Sequence, residues 1–181
     1  MARRYAMAID LRTCLGGAGC VIACMTENES FGYSRCRVTE ETRGEWPKPE
    51  LFVYSERCNH CADPPCVPVC PTGASHIGEH GLVEVDQSIC IGCKACMAAC
   101  PYDSRFLNAG GVASKCTFCS PRVEKGLPPF CVSQCPSRAM VFGDLNDAAS
   151  EIGRLLGSRP SRVRKPESGT RPHVFYLEAK A

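Results

Sequence analysis

The sequence predicts an α+β fold made of short strands, short helices and long cysteine-rich loops. Sixteen of the 181 residues are cysteine, and most of them stand in closely spaced groups. Short strand-like runs precede or follow these groups, and bulky apolar residues are scarce, with 7 Phe, 5 Tyr and 1 Trp. Because a chain with so little core material needs an additional source of stability, we expect disulfides or bound metal.

The regular elements lie between the cysteine groups. Strand-like runs occupy residues 4–11, 81–86 and 139–145, and the first two lead through an aspartate into a cysteine loop. A helix is expected through DAASEIGRLLG, capped by Asp144 or Asn146 and ending at Gly157. Residues 158–172 predict a loop, and HVFYL at 173–177 predicts a strand in a docking tail.

The third cysteine motif carries the clearest chemistry. It reads CIGCKACMAACP over residues 90–101, which is the C-x2-C-x2-C-x3-C-P run of bacterial ferredoxins. Three such cysteines surround one [4Fe-4S] cluster, and the fourth reaches a neighbouring cluster. The second motif, CNHCADPPCVPVCP at 58–71, follows the same plan with a longer central gap. Together they predict two cluster sites, which we number site 3 (Cys58, Cys61, Cys66, Cys100) and site 4 (Cys70, Cys90, Cys93, Cys96).

The fourth motif keeps the same spacings but contains an inserted loop, and it pairs naturally with the first. By the same logic we expect site 2 to be formed by Cys24, Cys116, Cys119 and Cys131. The first motif, CLGGAGCVIAC at 14–24, has Gly17 where the second cysteine belongs. Site 1 therefore has three expected thiolates, from Cys14, Cys20 and Cys135.

The vacancy at Gly17 leaves two alternatives for site 1. It holds a [3Fe-4S] cluster, or Cys36 serves as a surrogate ligand for an atypically ligated [4Fe-4S] cluster. The alternative for Cys36 is a small buried apolar side chain. The expected cofactors are therefore three [4Fe-4S] clusters and one [3Fe-4S] or atypical cluster. His60, between two expected ligands, is predicted to be exposed, and the alternative is that it donates to a cluster sulfur or contacts a partner. Lys94 and Lys115, beside expected ligands, are predicted to lie at the surface, and the alternative is that their positive charge raises the potential of a cluster.

Several other functions are disfavoured by the sequence. Structural disulfides and zinc do not explain runs that end in Cys-Pro with x2 and x3 spacing. No nucleophile–base pair or phosphate-binding glycine loop is visible, so no catalytic residue is expected. A net charge of +2 without a basic aromatic stretch does not suggest nucleic acid. No apolar run is long enough to span a bilayer, and no signal peptide is expected.

With these motifs in hand, the chain resembles the four-cluster ferredoxin-type subunit of molybdopterin oxidoreductase complexes, most of all the iron–sulfur subunit of polysulfide and thiosulfate reductases. The resemblance covers nearly the whole length and is carried by RYAMAIDLRTC, MTENE, CNHCADPPCVPVCPTGAS, CPYDSRF, SKCTFC, CPSRAMVFGDL and GTRPHVFYL. Gly17 departs from the family pattern.

The resemblance implies an arrangement and a role. It pairs the first motif with the fourth and the second with the third, giving two interleaved bacterial-ferredoxin-like two-cluster modules. We expect one module at 1–52 and 101–145, the other at 53–100, and a short helix with a docking tail at 146–181. The implied partners are a large molybdopterin-type catalytic subunit and an integral membrane quinone-binding subunit. The implied location is peripheral on the membrane, favouring the periplasmic side. A free ferredoxin-type carrier and a zinc-stabilised interaction module are the alternatives.

Overall fold

The computed structural model describes residues 3–178, so the ends of the predicted modules at 1–2 and 179–181 lie outside the described residues. Its helices are α1 (Gly19–Glu27), α2 (Ala95–Ala98), α3 (Ser120–Val123), α4 (Phe130–Ser133) and α5 (Glu151–Ser158). Its strands are β1 (Tyr5–Asp10), β2 (Cys36–Arg43), β3 (Glu50–Arg57), β4 (Ser75–Ile77), β5 (Val83–Val85), β6 (Arg105–Leu107), β7 (Ala113–Lys115), β8 (Met140–Asp144), β9 (Ser161–Arg162) and β10 (Val174–Leu177). The predicted α+β class is confirmed.

The largest sheet has four strands in the order β8-β1-β10-β9. β1 pairs antiparallel with β8 and parallel with β10, and its side chains are apolar and buried from Tyr5 to Ile9. Alternation along the strand divides these side chains between two faces. Met7 and Ile9 enter the core that contains the cysteines, whereas Ala6 and Ala8 pack against α5.

Three two-stranded hairpins lie next to the cysteine loops in the chain. β2 pairs with β3, β4 with β5, and β6 with β7, all antiparallel. β3 ends at Arg57, directly before Cys58, and β7 ends at Lys115, directly before Cys116. Because a hydrogen-bonded strand fixes the position of its last residue, each of these motifs begins at a defined point.

The predicted helix after β8 starts later than expected. α5 begins at Glu151, and its cap is Ser150, whose Oγ accepts from the Gly153 amide at 3.1 Å. The predicted cap at Asp144 or Asn146 is therefore wrong. The reason is local: the Asp147 carboxylate accepts from the Ala149 amide at 2.9 Å and stabilises a turn instead of a helix.

The C-terminal strand is confirmed and lies inside the chain's own sheet. β10 pairs with β1 from Met7↔Val174 to Asp10↔Leu177, and β9 pairs with its other edge. The segment between α5 and β10 is mostly irregular, as predicted, with a single 3-10 turn at Pro166–Ser168. Among residues 3–178 no helix is long and apolar enough to cross a bilayer.

Candidate iron–sulfur centres

All sixteen cysteines lie within the described residues, and all are free thiols. This excludes the disulfide framework as the source of stability in this structure. Most of the thiols are buried, and burial raises the pKa of Cys61 and of Cys116 to about 12. A buried thiol of this kind forms a thiolate when a metal replaces its proton.

The four cysteine loops share one backbone device. The residue before the second ligand position has a positive φ in every loop, at Gly16 (67°), His60 (42°), Gly92 (67°) and Phe118 (52°). Histidine and phenylalanine adopt this conformation only at an energetic cost, so the surrounding structure must impose it. The turn directs main-chain amides inward, and the Phe118 amide donates to Cys116 Sγ at 3.4 Å.

Amide donors at sulfur recur in the second module. The Ser75 amide donates to Cys70 Sγ at 3.4 Å, and the Ala113 amide donates to Cys90 Sγ at the same distance. Hydrogen bonds of this type stabilise the negatively charged sulfur of a metal-bound thiolate. Both contacts belong to cysteines predicted for site 4.

The first loop has the same backbone as the third, although it lacks one cysteine. φ is 67° at both Gly16 and Gly92, and it is also positive at Ala18 and Lys94, each of which precedes a helix. Gly17 therefore corresponds to Cys93 along the loop. A Cβ built on Gly17 would meet no atom within 4 Å, and the residue is exposed. The loop thus has the shape of a four-ligand loop without the fourth thiol.

One cavity brings together the thiols predicted for site 2. Its walls include four cysteines from two distant motifs. These are Cys24, Cys116, Cys119 and Cys131. α1 supplies the first of them and α4 supplies the last, and these two helices pack against each other. Four thiols around an enclosed space form a donor set that suits an iron–sulfur cluster.

Cys36 lies on the wall of that same cavity. It is buried at the start of β2, opposite Arg57, and its Sγ donates to the Cys20 carbonyl at 3.5 Å. The walls of this cavity do not include Cys14, Gly17 or Cys135. The thiol is therefore located between Cys20 and the site 2 cysteines.

Three buried cations surround the cysteines without a carboxylate partner. Arg57 and Arg105 are each 4% exposed and Lys115 is 2% exposed, and none forms an ion pair with a carboxylate among residues 3–178. Arg57 Nη1 donates to Cys131 Sγ at 3.0 Å. Arg105 Nη2 donates to Cys66 Sγ at 2.9 Å, whereas Arg57 Nε and Arg105 Nη1 have no partner within the described part of the chain.

Buried positive charge is costly unless an anion compensates it. The titratable groups that interact most strongly with these guanidinium groups are cysteine thiols, which carry negative charge when they bind iron. The residues present therefore fit a negatively charged iron–sulfur cofactor. This signal was missed in the sequence, where Arg57 stands directly before the second motif and Arg105 shortly after the third.

The structure corrects the predictions for His60 and Lys115, which are both buried. His60 Nδ1 accepts from the Val83 amide at 3.2 Å, its Nε2 donates to the Cys116 carbonyl at 3.1 Å, and its ring stacks on Phe118. Burial lowers the pKa of His60 well below its usual range, so the ring is neutral. Lys115 Nζ donates to the Cys116 carbonyl at 2.9 Å. The His60 contacts connect the second motif to the fourth, and a local sequence pattern does not reveal them.

Comparison with known proteins agrees with this chemistry. A family model described as a 4Fe-4S dicluster domain matches residues 49–145. A tetrathionate reductase subunit of Salmonella typhimurium is 46% identical over 96% of this chain and 72% of its own length. A polysulfide reductase chain of Wolinella succinogenes is 39% identical over 99% of this chain and 97% of its own.

The iron–sulfur subunit of arsenate respiratory reductase from a Shewanella species is 36% identical, covering 97% of both chains. All three relatives match this chain along nearly its full length. The chain therefore belongs to the 4Fe-4S dicluster family, as a ferredoxin-type iron–sulfur subunit of the kind found in molybdopterin oxidoreductase complexes.

Proposed function

We propose that this chain carries electrons through four iron–sulfur clusters between a large molybdopterin-type catalytic subunit and a quinone-binding integral membrane subunit. The observation that carries the proposal is the cavity where four thiols from two motifs meet a buried arginine without a carboxylate partner among the described residues. The names of the relatives support the partners, since they are components of tetrathionate, polysulfide and arsenate reductases.

The proposed ligand sets follow the predicted pairing of motifs. Site 1 uses Cys14, Cys20 and Cys135; site 2 uses Cys24, Cys116, Cys119 and Cys131; site 3 uses Cys58, Cys61, Cys66 and Cys100; and site 4 uses Cys70, Cys90, Cys93 and Cys96. In this scheme sites 1 and 2 form one module, sites 3 and 4 form the other, and the chain interleaves them. Bound clusters supply one-electron carriers, and the chain holds them, excludes water and provides hydrogen bonds to their sulfur ligands.

Site 1 is proposed to hold a [3Fe-4S] cluster. Its loop keeps the backbone of a complete cluster loop but offers no thiol at Gly17. Cys36 lies against the cavity of site 2 and contacts the main chain of Cys20, so it is less suited to fill the corner beside Gly17. The alternative, in which Cys36 completes a four-iron cluster, predicts a different spectrum and a different iron content.

The proposed location is peripheral on the membrane, within the complex and on the extracytoplasmic side. A quinone-linked complex with a different or no molybdenum partner is the alternative assembly, and a free ferredoxin-type carrier is a further one. The extent of the match favours the subunit, since the alignment covers 97% of the Wolinella polysulfide reductase chain.

The experiment is affinity purification of the tagged chain from its native membranes, followed by rapid mixing with a reduced quinone analogue. A large molybdenum-containing subunit and a membrane subunit should copurify, and the broad visible absorption of the clusters should bleach on mixing. A soluble chain that copurifies with neither subunit would support the free carrier. An iron-free chain containing zinc would overturn the proposal in favour of an interaction module.

A further inference from the structure

One buried arginine lies beside the two cysteine motifs of each proposed module, and it comes from the sequence range of the other module, since Arg57 lies within 53–100 and Arg105 within 101–145. In the first module, Arg57 Nη1 donates to Cys131 Sγ at 3.0 Å, and its Nη2 donates to Ser55 Oγ. Ser55 Oγ in turn lies 3.3 Å from Cys20 Sγ. A continuous chain of hydrogen bonds therefore joins a site 2 cysteine to a site 1 cysteine through one guanidinium group.

The second module repeats this arrangement. Arg105 Nη2 donates to Cys66 Sγ at 2.9 Å and to Ser75 Oγ at 2.8 Å, and the Cys96 side chain is among the groups that interact electrostatically with the guanidinium. Cys66 is a proposed ligand of site 3, and Cys96 is one of site 4. Again a single guanidinium group interacts with a cysteine of each site, and again a buried serine is beside it.

The contacted cysteines hold equivalent positions in their motifs. Each stands at the third ligand position of its motif, and all four are buried, at 5–7% exposed. They are Cys20, Cys66, Cys96 and Cys131. Both arginines stand at strand ends, at the last residue of β3 and the first of β6. Two arginines placed without relation to the motifs would not both interact with cysteines at the third ligand position. The arrangement therefore reflects the repetition of the cysteine motif along the chain.

Among the described residues no carboxylate forms an ion pair with either arginine, so cysteine thiolates are the anions available to compensate the positive charge. Glu56, the acidic residue next to Arg57, forms ion pairs with Arg37 at 2.7 Å and with Arg164. Arg57 forms a further side-chain contact with Met140 Sδ, which carries no charge. Lys115 adds positive charge nearby, and its Nζ donates to a carbonyl.

We propose that Arg57 and Arg105 set the reduction potentials of both clusters in the modules that they contact. The inference rests on the proposed function, because it requires clusters at these thiolates. Reduction adds one negative charge to a cluster, and a buried cation close to the ligand cysteines stabilises the added charge through its electrostatic interaction. Each arginine therefore raises the potential of two sites and makes each module easier to reduce.

The test is a potentiometric EPR titration of the cluster-loaded complex carrying Arg57→Gln or Arg105→Gln. At a fixed potential, Arg57→Gln should change the ratio of reduced to oxidised clusters at sites 1 and 2 at least tenfold, which corresponds to a drop of about 59 mV for a one-electron couple. Sites 3 and 4 should keep their potentials. Arg105→Gln should lower the potentials of sites 3 and 4 and leave those of sites 1 and 2 unchanged. Arg57→Lys, which retains the charge, should keep the potentials of sites 1 and 2 close to their wild-type values.

Controls separate this role from a structural one. Arg43→Gln removes an arginine that contacts Glu41, and it should leave all four potentials unchanged. Arg57→Gln with full iron content and unchanged potentials would overturn the inference. Should that variant lose its clusters, Arg105→Gln decides, since full iron content with unchanged potentials at sites 3 and 4 would also overturn it. Wild-type protein without iron and sulfide would instead overturn the proposed function.

Discussion

Replacing Gly17 with cysteine should convert site 1 into a complete four-iron site. The first loop already has the backbone of the third loop, in which Cys93 stands at the corresponding position. A Cβ at Gly17 meets no atom within 4 Å, and its φ does not lie in the left-handed region, so the new side chain causes no strain. Glycine replacement at such a position stabilises the fold by about 0.4–1 kcal/mol through the unfolded state.

EPR of the oxidised protein, with iron quantification, is the assay for Gly17→Cys. The wild type should show the signal of an oxidised [3Fe-4S] cluster, whereas oxidised [4Fe-4S] clusters are silent. The variant should lose that signal and contain one additional iron atom per chain. Gly17→Ala is the matched control, because it adds the same Cβ without a thiol and should keep the signal.

Gly16→Cys tests whether position matters more than the number of cysteines. Gly16 has a φ of 67°, and a Cβ there would lie 2.5 Å from Val53 Cγ1. This variant should therefore be destabilised by about 1 kcal/mol or more and should keep the three-iron signal. A wild type without any three-iron signal, or a Gly17→Cys variant that retains it at unchanged iron content, would refute the reasoning.

The packing of the chain leads to three other expected outcomes. Cys36→Ser should leave the iron content and the oxidised EPR signal unchanged, whereas loss of iron would show that Cys36 is a ligand. Ile152→Ala should lower the free energy of unfolding by about 2–5 kcal/mol, seen as a fall in Tm, because Ile152 is fully buried beneath the central sheet. The control Ile22→Ala, at a residue 62% exposed, should have little effect on Tm. Equal falls in Tm for the two variants would contradict the packing argument. Removing iron with a chelator and an oxidant should unfold the chain, because Arg57 and Arg105 then lose the anions that compensate their charge. The measurement is the circular dichroism spectrum, which should lose its folded signal. An unchanged spectrum would show that the buried cations need no cluster.

Features that depend on local spacing could be predicted from the sequence. The motif positions, the vacancy at Gly17 and the strands β1, β5, β8 and β10 follow from short patterns, since ligand spacing and alternation act over a few residues. The β2–β3 hairpin was not predicted, because its first run, CRVTEETR, is mostly polar and its second, ELFVYSER, does not alternate polar and apolar residues.

The residues that could not be placed from the sequence depend on distant partners. Arg57 precedes Cys58 in the chain but contacts Cys131, which lies 74 residues away. His60, which lies between two expected ligands, was expected at the surface, yet its ring hydrogen-bonds to Val83 and Cys116. Lys115, in β7 opposite Arg105, is likewise buried. Burial of a polar residue depends on which segments meet, and a single sequence does not specify that.

The most direct test of the central claim is a Mössbauer spectrum of the oxidised, iron-enriched protein with a count of iron and labile sulfide. We expect three [4Fe-4S] clusters and one [3Fe-4S] cluster, which require about 15 iron atoms per chain. Four complete [4Fe-4S] clusters would contradict the proposed vacancy at Gly17. A chain with fewer than four clusters, or with zinc in place of iron, would contradict the four-cluster electron carrier itself.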